Sequence, residues 1–291
     1  MDSRFNKGWE SVLFFKNTRL RPLQVITTAE IKSVKSLHQK KFREESGLFL
    51  VEGEKLLHEL LHSEWEIERI CATSSWLDKN KINQGIIINE VKSSELERIS
   101  ALTQPNEVLA VVRQRKFDFN LKTAQNGLTI LLDDVRDPGN LGTIIRIADW
   151  FGVRQIVCSP QSVELFNPKT IQSTMGSAFR IPVVYTDLLP LVHDLKKEGI
   201  AICGAVMEGK NVLSFEWKKS TALVMGSESH GINARLSALL DEHVTIPRFG
   251  EAESLNVSVA TGIFCAMFNR QFMIGDKHHC LRNLTPVTLY T

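Results

Sequence analysis

The chain lacks the sequence features of a membrane protein and of a disulfide-rich secreted protein. No stretch approaches the roughly 18 consecutive apolar residues of a membrane-spanning helix, and residues 1–22 lack the apolar core and cleavage site of a signal peptide. The five cysteines form no C-x-x-C pair, and most lie inside apolar runs: Cys71, Cys158, Cys203, Cys265 and Cys280. We therefore expect a cytoplasmic protein with reduced thiols and no membrane association.

The chain also lacks a strong charge of either sign. Its 35 lysines and arginines nearly balance its 33 aspartates and glutamates, and the net charge of +2 does not by itself indicate a nucleic-acid partner. There is no low-complexity segment and no repeat of fixed period. With 43% hydrophobic residues over 291 positions, the composition is that of a folded protein with room for two domains.

Two α/β domains are predicted, because short apolar runs alternate with amphipathic segments along most of the chain. Residues 28–114 form the first, smaller domain, and residues 128–275 form the second. Residues 115–127 break the apolar periodicity and end in Asn-Gly, which indicates a linker. We expect residues 1–27 to be a loosely ordered extension and residues 276–291 to be a peripheral tail.

The strands of the second domain are nearly continuous apolar runs separated by helical segments, as in "LTILLDD" followed by "LGTIIRIADWFG". This alternation predicts an open parallel sheet that is covered by helices on both faces. Ligands bind to such sheets beyond the carboxyl ends of the strands. Polar residues in the loops at those ends are therefore the candidates for function.

The pattern "HELLH" at 58–62 has the spacing with which zinc proteases hold their metal and their general base. A catalytic zinc site also needs a third protein ligand, and no residue is marked as one. On a helix, His58 and His62 fall opposite an apolar stripe of Leu56, Leu57, Leu60 and Leu61. We therefore expect an amphipathic helix with solvated histidines and no metal.

The first polar loop, "DDVRDPGNLGTIIR" at 133–146, runs from a turn into a helix. Asn140 could serve simply as the helix cap. Gly142 lies inside the helix, where glycine costs about 1 kcal/mol relative to alanine, so we expect close packing at that point. Arg146 lies in an otherwise apolar stretch, which predicts a partly buried side chain with an anionic partner. That partner could be Asp149 or the Asp133/Asp134 pair.

Two further loops carry polar residues that a simple connection does not need. In "VMGSESHGIN" (224–233), glycines flank Glu228 on both sides, which permits a positive φ and the close approach of a ligand. Glu228 could instead be only a carboxylate at a helix start. In "IPRFGEAESLNVSVATG" (246–262), Ser254 could be a plain N-cap. The polar residues Asn256, Ser258 and Thr261 nevertheless continue into a helix that is otherwise apolar.

Taken in order, these loops resemble the three motifs of the SpoU/TrmH family of RNA 2′-O-ribose methyltransferases. The matching residues are Asn140 and Arg146, then Gly226-x-Glu228-x-x-Gly231, then Ser254-Leu255-Asn256-Val257-Ser258. The resemblance covers residues 128–273, and Ser229 stands where many members have glycine. It is weaker over 30–112, where "KKFREESGLFLVEGEKLL" is similar to the family's N-terminal substrate-binding domain, whose fold resembles a ribosomal protein.

The resemblance implies that the second domain is a deep trefoil knot, that it binds S-adenosylmethionine and that the protein is a homodimer. It implies methyl transfer to a ribose 2′-hydroxyl in structured RNA. The two-domain layout resembles the members that modify rRNA more than those that modify tRNA, so large-subunit rRNA is the expected partner. A non-catalytic RNA-binding or assembly protein with the same fold is the first alternative. A zinc hydrolase built on His58, Glu59 and His62 is the second.

The resemblance also assigns roles to individual residues. The family's cofactor contacts correspond by position to Gly226, Ile246 and Leu255, with Met225 and Ser227 alongside. The resemblance gives Arg146 the role of activating the hydroxyl. Because a guanidinium is almost never deprotonated, a cation that anchors the RNA phosphate and stabilises the developing alkoxide is the alternative that we favour. In either role, Asn140, Glu228, Ser254 and Asn256 are expected to hold Arg146 and the ribose in place. The first domain has a basic run of Lys32, Lys35, His38, Lys40, Lys41 and Arg43. This run could be a solvated helix face, but an RNA substrate favours phosphate contacts by Lys40, Lys41 and Arg43.

Overall fold

The computed structural model describes residues 24–82 and 85–275. The predicted tail at 276–291, Cys280 and most of the predicted extension lie outside the described residues. The four cysteines within them are buried free thiols, as the apolar sequence context predicted. No helix among the described residues is both long and apolar enough to cross a membrane.

Two compact units make up the chain. Within the described residues, one comprises 24–57 together with 65–82 and 85–113, and the other comprises 58–64 together with 114–275. Each unit is built around its own β-sheet, and the two sheets share no strand.

The first unit holds a five-stranded sheet with the order β1-β4-β3-β5-β2. Its strands are β1 (Gln24–Val25), β2 (Leu48–Glu52), β3 (Ile67–Ala72), β4 (Ile87–Glu90) and β5 (Val108–Arg113). The helices along this part of the chain are α1 (Thr28–Ser36), α2 (Lys40–Ser46), α3 (Glu54–Leu61), α4 (Ser74–Lys79) and α5 (Ser93–Ile99). Strand β5 pairs antiparallel with both β2 and β3, whereas β4 runs parallel to β1 and β3, so the sheet is mixed.

Strand β1 corrects the predicted start of the first domain. Gln24 and Val25 pair with Asn89 and Glu90 of β4, although the sequence placed them in a loosely ordered extension. Two residues are too short to show an apolar period, which is why the pattern did not reveal this strand.

The second unit holds a six-stranded sheet with the order β11-β9-β10-β6-β7-β8, and every pairing in it is parallel. Its strands are β6 (Leu128–Leu132), β7 (Ile156–Cys158), β8 (Val183–Tyr185), β9 (Ala201–Asn211), β10 (Thr221–Met225) and β11 (Glu242–Thr245). Its helices are α6 (Leu121–Ala124), α7 (Pro138–Trp150), α8 (Pro168–Thr174), α9 (Leu188–Lys197), α10 (Ala234–Ser237) and α11 (Val257–Gly275). The predicted parallel sheet is therefore confirmed, and every residue of its central strands β6 and β10 is buried.

The segment predicted as a linker is packed onto the second unit. Residues 115–127 contain α6, whose Ala124 is fully buried in the core beneath the sheet. Phe117, Phe119 and Leu121 pack against the same core. The loss of periodicity in the sequence reflects an irregular but packed segment.

Helix α3 has the amphipathic character that was expected of the HELLH pattern. Leu56, Leu57 and Leu60 are buried, whereas His58 and His62 are exposed. The two imidazole rings lie 4.3 Å apart between centroids. In the described part of the chain, no group of three or more His, Cys, Asp or Glu side chains could hold a metal ion.

Candidate functional site

The three polar loops follow β6, β10 and β11 at the carboxyl edge of the second sheet. Strands β6 and β10 are direct neighbours, with Met225 opposite Leu132. The backbone amide of Asp133 donates to the carbonyl of Met225 at 2.9 Å, so the first two loops begin side by side. The fold therefore gathers at one edge the segments that a parallel sheet was expected to bring together.

A pocket of about 640 Å³ opens among these loops. All five residues predicted to contact a cofactor line it: Met225, Gly226, Ser227, Ile246 and Leu255. Glu228 and Ser254 also lie on its wall, whereas Asn140, Arg146 and Asn256 lie outside the lining. The volume is within the range of about 300 to 1,000 Å³ that is typical of small-molecule sites.

Side chains from all three loops join in one hydrogen-bonded network at the pocket. The side-chain amide of Asn140 donates to the carboxylate of Glu228. Asn256 donates from Nδ2 to Oδ1 of Asn140 at 2.9 Å, and its own Oδ1 accepts from the Ser258 hydroxyl at 2.5 Å. We call Glu228, Asn140, Asn256 and Ser258 the Asn140 network. It joins positions that are 88 and 116 residues apart in the sequence.

Asn140 can belong to this network because another residue caps helix α7. The Asp137 side chain is the N-cap and accepts the backbone amide of Asn140 at 2.8 Å, while Pro138 occupies the first helical turn. The alternative in which Asn140 itself caps the helix is therefore wrong. Its side chain is left to project from the first turn toward Glu228 and Asn256.

Asn256, and not Ser254, caps the start of helix α11. Its Oδ1 accepts the backbone amides of Ser258 at 2.9 Å and Val259 at 3.4 Å. Ser254 is exposed on the wall of the pocket. Across residues 24–82 and 85–275, no hydrogen bond joins Ser254 to the Asn140 network. The plain N-cap alternative for Ser254 is thus wrong.

The glycines of the second loop let its backbone fold back on itself. Ser227 and Gly231 exchange two backbone hydrogen bonds, of 3.1 and 2.9 Å. Gly231 has a φ of +67°, a conformation that favours glycine. A Cβ on Gly226 would collide with the backbone of Gly231. This tight loop places Glu228 beside Asn140, and it shows that the close approach at Gly226 is made by the chain itself.

Gly142 is closely packed, as its place inside a helix predicted. A Cβ at this position would lie 2.6 Å from the carbonyl oxygen of Thr170 and 2.5 Å from Cβ of Ser173. Both residues belong to α8, so the glycine sets how closely α7 and α8 approach each other. This contact helps to fix the helix that carries Asn140 and Arg146.

The side chain of Arg146 is not partly buried, so that prediction from the sequence is wrong. It is exposed on α7. No hydrogen bond or ion pair to it is found among the residues that the structure describes. The apolar residues beside it in sequence, such as Ile144 and Ile145, are buried on other faces of the helix. Its position in an apolar stretch therefore did not indicate burial.

The carboxylates that could have paired with Arg146 are bonded elsewhere. Asp149 accepts from Arg180 at 2.8 Å and from the hydroxyl of Ser177 at 2.8 Å. Asp134 is held by Arg136 at 2.7 Å. Asp133 accepts the backbone amide of Asn233 at 2.6 Å. The guanidinium of Arg146 is thus exposed, and each of these carboxylates already has another partner.

Asp133 ties the first loop to the second through its bond to Asn233. Burial raises the pKa of Asp133 above its ordinary value, the amide of Asn233 opposes this shift, and the charge of Asp134 adds to it. The carboxylate is therefore held in a partly buried position that costs solvation energy. The bond to Asn233 partly offsets that cost and positions the end of the loop that carries Glu228.

The predicted RNA-contacting residues of the first unit divide into two groups. Lys40 and Lys41 are exposed and face Glu44 and Glu45 one turn later, at 3.6 and 3.9 Å. Arg43 is only 2% exposed, and its guanidinium donates to the carbonyl of Leu37 at 2.6 Å. The prediction that Arg43 contacts RNA is therefore wrong, because its charge is used inside the unit.

Two exposed apolar residues are among the pocket residues that the sequence did not identify. Phe249 lines the pocket and is 92% exposed, and Met207 lines it from the exposed end of β9 with 68% exposure. The one available signal was an aromatic residue within the polar stretch "RFGEAES". Large apolar side chains in such exposed positions often mark a ligand surface.

Comparisons with known protein families match both parts of the chain. Residues 127–266 match the model of the SpoU rRNA Methylase family. Residues 28–110 match the MRM3-like substrate binding domain. The first match contains all three polar loops, and the second contains most of the first unit.

Individual relatives agree with these matches over nearly their whole length. The chain is 34% identical to the 23S rRNA (guanosine(2553)-2′-O)-methyltransferase RlmP of Bacillus subtilis, over 84% of this chain and 97% of that protein. An AdoMet-bound rRNA methyltransferase from Sinorhizobium meliloti superposes with a TM-score of 0.76 and 28% identity, covering 86% and 98% of the two chains. The SpoU methyltransferase AviRb from Streptomyces viridochromogenes, in complex with AdoMet, has a TM-score of 0.74 and 25% identity, with 85% and 99% covered.

Proposed function

The chain belongs to the SpoU rRNA methylase family, and we propose that this RNA 2′-O-methyltransferase methylates one ribose of large-subunit ribosomal RNA in the cytoplasm. The observation that carries the proposal is the Asn140 network, in which one side chain from each predicted motif meets beside the pocket. The similarity to RlmP, a 23S rRNA enzyme, supports the choice of RNA. The first unit's match to a substrate binding domain supports a structured RNA partner.

The pocket suits S-adenosylmethionine as the methyl donor. Ile246, Leu255 and Met225 provide apolar walls for an adenine and a thioether, and the backbone of the Gly226 loop provides polar groups. Glu228 adds a carboxylate on the same wall, which complements a cationic ligand. When bound, S-adenosylmethionine supplies an electrophilic methyl group.

Arg146 is proposed to act as a fixed cation. A guanidinium is not deprotonated in proteins, so the role of general base does not suit it. Its planar fork of donors suits a phosphate or a developing alkoxide, and the structure leaves it exposed on α7. The Asn140 network would hold the ribose, because its amides and carboxylate are already fixed in direction. Ser254 would contribute from the pocket wall.

We further propose the two architectural features that the family resemblance implies, a knot and a homodimer. After β11 at the sheet edge, the chain passes the pocket and enters α11, which packs against α7. Such a return across the sheet is compatible with a trefoil knot. Trp150 of α7 is 64% exposed and Val259 of α11 is 52% exposed, which suits a shared apolar surface between two copies. The likeness of the first domain to a ribosomal protein is proposed on the same basis.

Labelled S-adenosylmethionine and total RNA from a strain lacking this protein provide the direct test. We expect label in large-subunit rRNA and, after mapping, a single modified ribose. Arg146→Ala should abolish transfer and leave the cofactor Kd, measured by calorimetry, within a few fold. Arg154→Ala is the matched control, since Arg154 is another exposed arginine of the same unit. RNA binding without any transfer would instead favour the non-catalytic alternative.

A further inference from the structure

Asp149 is the nearest acidic neighbour of Arg146 along helix α7. The two residues are three positions apart, and side chains at that spacing lie side by side on a helix surface. An exposed arginine beside an aspartate would ordinarily form an ion pair. In this structure the pair is not made, and Asp149 is bonded to a different part of the chain.

Arg180 forms the ion pair with Asp149. Its Nε and Nη2 lie 2.9 and 2.8 Å from Oδ2 of Asp149. The buried Ser177 hydroxyl donates to the same oxygen at 2.8 Å. Both partners follow Gly176, whose φ of +96° turns the chain back toward α7. All three donor atoms therefore converge on Oδ2 of Asp149, and they belong to the segment 177–180.

The carboxylate of Asp149 is partly shielded from water, whereas Arg180 is the more exposed member of the pair. The Asp149 side chain is 25% exposed and that of Arg180 is 45% exposed. If the cation were removed, a half-buried carboxylate would remain next to the exposed Arg146. Hydrogen bonds to charged groups are stronger than neutral ones, so a carboxylate bonded only to the Ser177 hydroxyl would attract the guanidinium of Arg146, three positions earlier on α7.

We propose that Arg180 is a positioning residue for methyl transfer, because by engaging Asp149 it keeps Arg146 available to the RNA. This inference rests on the proposed function, in which Arg146 meets a phosphate or the 2′-oxygen of the target ribose. Arg180 acts through Arg146 and touches no substrate. Without it, Arg146 is paired with Asp149 for most of the time, and the site then lacks its cation although every residue of the Asn140 network is intact.

The first test is Arg180→Ala in the full-length protein. Capture of Arg146 should lower the single-turnover transfer rate and weaken RNA binding on the order of tenfold, the effect of one charge-assisted hydrogen bond. RNA binding is measured without S-adenosylmethionine, so this readout does not depend on the loaded enzyme. The cofactor Kd should stay within twofold of wild type, as expected for a residue outside the pocket lining.

The decisive measurement is rescue. Adding Asp149→Asn to Arg180→Ala removes the competing charge and keeps an oxygen for the Ser177 hydroxyl, so RNA affinity and rate should return to those of Asp149→Asn alone. A purely structural role predicts that the double variant is as poor as Arg180→Ala or poorer, and this result would overturn the inference. Arg180→Lys keeps a cation on Asp149, so its RNA affinity and transfer rate should be near those of wild type. This variant also tests the inference if Arg180→Ala does not fold, because a loss as large as tenfold would contradict it.

Two further variants distinguish this role of Arg180 from a direct contact with RNA and from a role of Glu59. In the Arg146→Ala background, Arg180→Ala should weaken RNA binding no further, since Arg180 acts through Arg146; an additive loss overturns the inference.

Arg180 also contacts the carboxylate of Glu59. Glu59→Gln should therefore leave RNA affinity unchanged, and a loss equal to that of Arg180→Ala would assign the effect to Glu59 instead. A wild-type protein that transfers no methyl group rejects the proposed function, whereas an active wild type with an equally active Arg180→Ala rejects only this inference.

Discussion

The side-chain amide of Asn256 lies 2.9 Å from the side-chain oxygen of Asn140, a residue 116 positions earlier in the chain. Asn140 in turn directs its own amide nitrogen at Glu228. Each amide is thus fixed in direction, because its oxygen accepts on one side and its nitrogen donates on the other. Asn140 is the central member of the network and the only one of the four side chains that contacts both Glu228 and Asn256 within the described residues.

Asn140→Ala should lower the single-turnover methyl-transfer rate by roughly ten- to a hundredfold, the effect of losing one or two hydrogen bonds that involve a charged group. The cofactor Kd should change little, because Asn140 lies outside the pocket lining. Rapid-quench assays and calorimetry measure the two quantities. Asn126→Ala, at an exposed asparagine of the same unit, is the control and should be silent. Parallel losses of rate and cofactor affinity would contradict the assignment.

Leu255→Ala should weaken S-adenosylmethionine binding by about tenfold, since the lost methyl groups no longer cover the ligand in the pocket. Leu213→Ala is a close control: Leu255 is 49% exposed, Leu213 is 50% exposed, and Leu213 lies outside the pocket lining. Titration calorimetry with the purified variants distinguishes them. Equal affinities for the two variants would place the cofactor elsewhere.

Gly142→Ala should destabilise the second unit by about 1 to 3 kcal/mol through overpacking, although alanine is the better helix former. The added Cβ would meet the Thr170 carbonyl at 2.6 Å. Gly262→Ala is the control within a helix, because its nearest atom is Cδ1 of Ile147 at an ordinary 3.7 Å. Urea unfolding should therefore show a loss for the first variant and none for the second. A neutral Gly142→Ala would mean that α7 and α8 can separate freely.

Lys40→Gln combined with Lys41→Gln should make RNA binding less dependent on salt. Two lost phosphate contacts reduce the slope of log K against log salt by roughly 1.4 to 1.8. Lys197→Gln is the matched control, since its side chain is 74% exposed and ion-paired, as that of Lys41 is at 75%. Filter binding at several salt concentrations gives the slopes. An unchanged slope would mean that Lys40 and Lys41 do not contact phosphates and that α2 simply faces solvent.

Glu30 should make the first unit sensitive to acid. The hydrogen bond from Arg69, helped by the backbone and side chain of Thr27, lowers the pKa of Glu30 from 4.5 to about 2. A lowered carboxyl pKa stabilises the folded form above pH 4.5, and this contribution is lost as the pH falls toward 2. The melting temperature of Glu30→Gln should therefore lie below wild type at pH 6 and approach it near pH 2. A difference that is constant across this range would show that the effect is not electrostatic.

The sequence was sufficient to predict the sheet and the meeting of the three loops, because both follow from apolar runs and from the geometry of parallel strands. It also indicated the close packing at Gly142. It did not predict which residue caps each helix. Asp137 and Asn256 are the caps, and the choice depends on whether φ and ψ leave the helical range at one position or the next. Neighbouring polar residues offer the same side-chain chemistry, so spacing alone does not decide between them.

The sequence also did not predict the exposure of Arg146 or the burial of Arg43. Asp149 could have paired with Arg146, but it is bonded to Arg180, which lies 31 positions later in the sequence. No local sequence pattern predicts a pairing over that distance. Arg43 belongs to a short helix with a polar composition, yet its guanidinium turns inward to the carbonyl of Leu37 at the end of α1. In both cases tertiary contacts decide where an arginine charge lies, and helical periodicity does not report them.

Asn140 projects from the first turn of α7, and Asn256 occupies the position that begins α11. Both side chains are therefore oriented by helix ends, which form when the polypeptide first folds. These side chains lose their conformational entropy when the protein folds, and not again in each reaction cycle. Every cycle therefore starts from the same arrangement of the two amides. Losing the beginning of either helix would accordingly erase activity well before the rest of the sheet came apart.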